Sequence, residues 1–190
     1  KFNFQTAKMM DQEKTIGFIL DVLGSLSDLH GSKSRAYQYI EHILKEAIDS
    51  TYSEGKICKC NFGNFGIIEM PFFKMGEIDT THLFGLDELI IFSFYEANKY
   101  IYKSVADLGA NVGLHSIIMS NLGFKVTSYE PDPIHLEQLN QNIQINCKIN
   151  RPVIHQQAVS IENGETEFIR VVGNTTGSHI AGAKTDPYGK

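Results

Sequence analysis

The apolar positions of the chain change their period along its length. Ile16, Ile19, Leu20, Leu23 and Leu26 recur at helical spacing and end near His30-Gly31, where glycine suits a left-handed cap. Ser34 is placed to cap a second helix with the stripe Tyr39, Ile40, Ile43, Leu44, Ala47 and Ile48. The short link predicts an antiparallel pair, a packing or homodimerising element without chemistry. From Lys56 the period becomes two. Lys56–Phe62, the turn residues Gly63-Asn64-Phe65-Gly66 and Ile67–Met70 predict a hairpin.

A third helix follows, with Asp87 as its expected cap and Ile90, Ile91, Phe94 and Tyr95 as its apolar side. Strand and helix then alternate. Val105-Ala106, Val126–Tyr129 and Val153–His155 read as strands, separated by helices over 114–122 and 134–147. Asn163-Gly164 predicts a hairpin turn into Phe168–Val172, and 173–190 reads as loop. This alternation is the signature of a doubly wound α/β layer. The expected division is an N-terminal helical extension at 1–55 and a hairpin plus α/β domain at 56–190.

Composition narrows the class. The 190 residues are 42% apolar and 21% charged, which excludes a disordered or fibrous chain. A net charge of −5, with neither half basic, argues against nucleic acid as partner. No apolar run approaches a membrane span, and no signal peptide is visible. Three cysteines point to a reducing compartment, and so to the cytoplasm. No initiator Met opens the chain and Thr185–Lys190 closes no element, which reads as a piece of something longer. Cys58-x-Cys60 places two thiols on one strand face, but nothing nearby completes a metal-ligand set, so no metal is expected.

The chemistry-bearing stretch is Asp107-Leu108-Gly109-Ala110-Asn111-Val112-Gly113, between a strand and an amphipathic helix. Gly109 permits a tight turn, and Gly113 permits close backbone approach where the helix N-terminus offers N–H groups. Glu130 ends the next strand about 20 residues on, where a βαβ unit presents a carboxylate to ribose hydroxyls. A pyrophosphate needs a second glycine where this chain has Asn111, and Asp107 would repel it. The methionine tail of S-adenosylmethionine is slimmer, and Asp107 can receive its ammonium.

These residues, with Leu114-His115-Ser116 and Tyr129-Glu130-Pro131-Asp132-Pro133, resemble the FkbM family of S-adenosylmethionine-dependent methyltransferases. Leu139, Asn142-Ile143, Asn146, Ala158-Val159-Ser160 and Asn163-Gly164 extend the resemblance over roughly 85–182. It implies a Rossmann-like class I methyltransferase sheet, truncated at the C-terminus, and methyl transfer to a hydroxyl of a sugar or small metabolite. It also implies that Asp107, Gly109, Ala110, Asn111, Val112 and Gly113 line the methionine end of the cofactor. Glu130 would hold the ribose, Pro131 and Asp132 would lie beside the adenosine, and Ala158 near the adenine. The family's Lys-x-Asp-x-Glu-Gly type motif is not reached.

His179 and His115 are the two candidates for the base that a hydroxyl acceptor requires. The other histidines, His30, His42, His82, His135 and His155, draw no functional reading. Asp186-Pro187-Tyr188-Gly189 is similar to the Asp-Pro-Pro-Tyr loop of amino-group methyltransferases but lacks its second proline. The alternatives are an NAD(P)-dependent oxidoreductase and a non-catalytic cofactor-binding or assembly domain.

Overall fold

The structure, a computed structural model, describes residues 4–25, 30–52, 54–55 and 57–183, without the side chains of 4–13 and 57. It is a mixed α/β fold with five α-helices and a three-stranded parallel sheet among the described residues. Leu26, Lys56 and the Asp186–Gly189 stretch lie outside them.

Helices α1 (Phe4–Ser25) and α2 (Arg35–Thr51) pack on each other and on α3 (Leu86–Asn98). The Ser34 side chain caps α2 by accepting from the Tyr37 N–H at 3.1 Å. Ile16, Ile19, Leu20 and Leu23 are buried, as are Leu44, Ala47 and Ile48. Tyr39, expected in the α2 stripe, is exposed, and Tyr37 is buried in its place. Positions 37, 44 and 48 share a helix face, whereas 39 lies on the other side.

Strands β1 (Ile57–Asn61) and β2 (Ile67–Pro71) form the expected hairpin, with Cys58 opposite Met70 and Cys60 opposite Ile68. All four side chains are buried and apolar in use. Asp87 is not the cap of α3. That position is Gly85, because the Asp87 carboxylate accepts the Tyr37 hydroxyl at 2.6 Å instead of a helix N–H. The buried face of α3 is Leu86, Leu89 and Phe92, while Ile91 and Phe94 are exposed.

Next come β3 (Ser104–Leu108), α4 (Leu114–Asn121), β4 (Lys125–Tyr129), α5 (Pro133–Asn146) and β5 (Val153–His155). The strands run parallel in the order β3-β4-β5, with Leu108 opposite Tyr129 and Tyr129 opposite His155. All three therefore present their C-terminal ends at one edge, where ligands bind in open α/β sheets. One cluster of buried apolar side chains runs from Ile16 to Cys147.

Phe168–Ile169 (β6) does not pair with the third strand. It pairs antiparallel with His179–Ile180 (β7), in a stretch expected to be loop throughout. A 3-10 turn at Thr175–Gly177 reverses the chain, and the Val171 N–H donates to Ser178 Oγ at 3.1 Å. The returning segment is fastened to the N-terminal half, where Glu77 N–H donates to Gly173 O at 2.8 Å and Thr175 N–H to Met75 O at 3.0 Å. No helix among the described residues is long and apolar enough to cross a membrane.

Candidate functional site

Three left-handed residues in five positions build the turn after β3: Gly109 (φ 77°), Asn111 (φ 51°) and Gly113 (φ 91°). Asparagine is among the few non-glycine residues that tolerate this region. The N–H groups of Gly109 and Ala110 both donate to Tyr129 O, at 2.9 and 3.0 Å, so the turn folds over the end of β4. A Cβ on Gly109 would meet nothing within 4 Å, leaving open space above it. Gly113 is different. A Cβ there would lie 2.4 Å from Leu139 Cδ1, so its immediate job is to let α5 pack against the turn. Asn142 Nδ2 reinforces that contact by donating to Val112 O at 2.8 Å.

Glu130 joins this turn to the next. Its Oε2 accepts from the Asn111 N–H at 2.7 Å and its Oε1 from the Asp132 N–H at 2.8 Å. The residue is only 4% exposed. Burial pushes its carboxyl above the usual range; the two N–H groups oppose this, and the negative Asp132 and Asp107 add to it. Each oxygen keeps a further lone pair.

Asp107 is half-buried, and its Oδ2 accepts from Ser116 Oγ at 2.5 Å, which in turn meets Ser128 Oγ at 2.6 Å. This chain fixes the first turn of α4 on the sheet. No side chain caps α4, so its first N–H groups have no side-chain acceptor at the turn. The Oδ1 atom of Asn111 is buried without a hydrogen-bond partner among the described residues.

Three linked hollows run along the strand ends. The first, about 300 Å³, is lined by Asp107 and by Gly109 to His115. Ile78, His82, Leu83 and Glu88 also line it, together with Thr176 from the returning loop. The second, about 140 Å³, shares Gly109, Asn111 and Thr176 with the first and adds Glu130, Pro131, His135, Thr175 and Ser178. The third is wider, about 810 Å³, and includes Pro131, Tyr129 and Ala158. Of the residues expected to bind cofactor, all but Asp132 line these three hollows. Asp132 is fully buried, caps α5 through the Ile134 N–H at 2.9 Å and holds Arg170 Nε at 2.6 Å. Burial raises its carboxyl, but the Ile134 N–H and the Arg170 guanidinium outweigh that and hold it below the usual range.

The two histidine candidates separate. His115 lines the first hollow. His179 is 9% exposed in β7, with Nδ1 3.2 Å from Gly177 O, and lines none of the three. The residues that sequence reading missed are His82, Glu88 and their apolar neighbours. His82 stands in a short stretch with no periodicity to mark it, where only the spacing Asp79-x-x-His82 hints at local order, and Glu88 is one polar position among others on the predicted third helix.

Compared with known proteins, the chain matches no family model, no curated protein and no solved structure. The chemistry is carried by the groove itself. It is lined by the acceptors Asp107, Glu88 and Glu130, with the unpaired Asn111 Oδ1 buried beside them, by the N–H groups at the start of α4, and by the polar residues Thr175, Thr176 and Ser178. Neither Lys nor Arg lines any of the three hollows. Such a surface suits a ligand with an ammonium group and hydroxyls better than one with phosphates.

Proposed function

We propose that the chain is an S-adenosylmethionine-dependent methyltransferase acting on a hydroxyl oxygen of a sugar or small metabolite. The order β3-β4-β5, with α4 and α5 between the strands, is then the cofactor-bearing half of a Rossmann-like class I sheet. The FkbM resemblance of the two strand-end motifs supports the same reading. The observation that carries it is the junction of Asn111 with Glu130. The turn is left-handed at an asparagine whose Oδ1 is buried and unpaired, and its N–H is held by the buried Glu130 carboxylate.

When bound, the cofactor supplies an electrophilic methyl group on a sulfonium sulfur. The residues present fit it. Asp107 and Asn111 Oδ1 would accept from its ammonium, and the first N–H groups of α4 would receive its carboxylate. Glu130 would accept from ribose hydroxyls with the lone pairs its two N–H contacts leave free. The returning loop residues Thr175, Thr176 and Ser178 line the same groove as a polar wall. A carbohydrate or other small molecule suits this lining better than nucleic acid, since neither Lys nor Arg lines the three hollows. Three free cysteines, Cys58, Cys60 and Cys147, support a reducing, cytoplasmic setting.

Isothermal titration with S-adenosylhomocysteine tests the reading. Binding is expected, and reduced nicotinamide cofactor should give no heat. The reverse pattern would establish the oxidoreductase alternative. Absence of both would return the chain to a non-catalytic role.

A further inference from the structure

We propose that Glu88, held by His115, is the group that takes the proton from the acceptor hydroxyl. The assignment rests on the methyl-transfer reading and deepens it by naming the base.

The first hollow is lined by two imidazoles and two carboxylates, and their hydrogen bonds distinguish them. His82 closes the capping box of the 3-10 helix Thr80–Phe84. Its Nδ1 accepts the Asp79 N–H at 3.2 Å, so Nε2 carries the hydrogen. His115 is engaged at both nitrogens: Nδ1 lies 2.9 Å from the Tyr95 hydroxyl and Nε2 lies 2.8 Å from Glu88 Oε2. A carboxylate only accepts, so Nε2 carries the hydrogen and Nδ1 takes the tyrosine's. Neither imidazole keeps a lone pair for an incoming hydroxyl. Asp107 belongs to the glycine turn, where its Oδ2 accepts from Ser116 Oγ and the carboxylate is given to the cofactor's ammonium. Glu88 remains. Its Oε2 is committed to His115, and its Oε1 meets no partner among the described residues.

The support for Glu88 is built into α3. Positions 88, 92 and 95 share one helix face, and each meets His115 of α4. Phe92 is fully buried and meets the imidazole edge to face, with ring centroids 5.3 Å apart. The Tyr95 phenol keeps its hydrogen, because burial first, then the charges of Asp107 and Glu88, push it up to about 12. The tyrosine thus fixes the imidazole tautomer, and the imidazole fixes the carboxylate. One carboxylate oxygen is left over. The Glu88 side chain is 33% exposed, so water reaches it.

The proton inventory closes. As the acceptor oxygen bonds to the methyl carbon, the carbon–sulfur bond breaks and sulfur keeps the electron pair as a neutral thioether. The hydroxyl proton passes to Glu88 Oε1, and the neutral acid later releases it to water. A carboxylate is a weak base toward a free hydroxyl. That hydroxyl becomes strongly acidic as its oxygen gains a third bond, so a carboxylate in contact suffices.

Sinefungin, a cofactor analogue with an amine cation where the transferred methyl sits, tests the placement without an acceptor. A base that serves the methyl position lies within reach of that amine, directly or through one water. In calorimetry, Glu88→Gln should weaken sinefungin at least about fivefold, the loss of a charge-assisted bond, while S-adenosylhomocysteine affinity holds. Unchanged sinefungin affinity overturns the assignment. Equal weakening of both ligands also overturns it, by moving Glu88 to the cofactor's common part. His115→Leu should weaken sinefungin selectively, and His115→Gln, which keeps an N–H donor, should retain more of the affinity. Equal affinities in those two variants remove the positioning role of His115. For any sugar that the wild type methylates, Glu88→Gln should lower turnover about 100-fold or more. Wild-type turnover in that variant removes Glu88 as base and leaves the methyltransferase reading standing. Failure of the wild type to bind either ligand removes both.

Discussion

The Asn111 N–H points at Glu130 Oε2 across 2.7 Å, so the glycine turn and the end of β4 are one unit. Any ligand that meets one meets the other. Glu130→Ala should weaken S-adenosylhomocysteine by about 1–3 kcal/mol, the range for hydrogen bonds to a charged group, in a calorimetric titration. Unchanged affinity would remove Glu130 from the ribose role.

Glu130 also makes a stability prediction. Its folded carboxyl lies above its ordinary value of 4.5, chiefly through burial. A raised carboxyl favours the folded state when protonated. Its contribution is therefore full below 4.5 and is lost as pH rises through the folded value. Glu130→Gln should flatten that part of the stability profile in urea titrations. An unaltered slope would place the penalty on another group.

Asp132 has the opposite sign. Its carboxyl is held below its ordinary 3.8, so its contribution is present above that value and lost as pH falls through the folded one. Asp132→Ala removes a helix cap and the partner of Arg170, and should cost about 2–4 kcal/mol at neutral pH. Arg170→Met should cost less, because the arginine is 32% exposed while the cap survives. Equal losses in the two variants would show that the cap contributes nothing.

Gly113 separates packing from binding. A valine there would sit at φ 91° and press on Leu139 Cδ1, so Gly113→Val should lower stability by about 2–5 kcal/mol with no ligand present. Leu139→Ala in the same chain should recover only the clash and leave the backbone strain. Full stability in Gly113→Val, read by thermal melting, would mean that the turn is not left-handed at this position.

What was legible follows from how local each signal is. The strands around Val105, Val126 and Val153 are short apolar runs bounded by turns, and each appears in its expected place. The turn at Gly109–Gly113 was readable because left-handed backbone demands glycine or asparagine. The opposite wall was not. Residues 72–79 are irregular backbone leading into a 3-10 helix at Thr80–Phe84, and side-chain bonds hold the stretch together: Thr80 Oγ1 accepts from the Phe73 N–H at 2.8 Å and donates to Pro71 O at 3.0 Å. Asp87 misled because its partner Tyr37 lies on another helix. Asp132 carried a correct cap signal, Asp-Pro, but its burial depends on Arg170, far along the chain.

Asn111 offers the sharpest separation of stability from function. Its left-handed backbone is tolerated rather than preferred, and its Oδ1 is buried without a partner, a desolvation cost with no return in the free protein. Asn111→Gly relieves both, against the greater chain entropy of glycine. The net change in stability should be within about 1 kcal/mol, or favourable. If Oδ1 instead exists to receive an ammonium, the same substitution should weaken S-adenosylhomocysteine by about 1.4 kcal/mol, a factor of 10, the loss of one charge-assisted bond. Asn111→Ala should lose the bond and also retain the backbone strain, so it should be worse on both measures. Thermal melting and calorimetry on the two variants decide the matter. A glycine variant that is less stable but binds normally would show that the amide serves the turn and not a ligand.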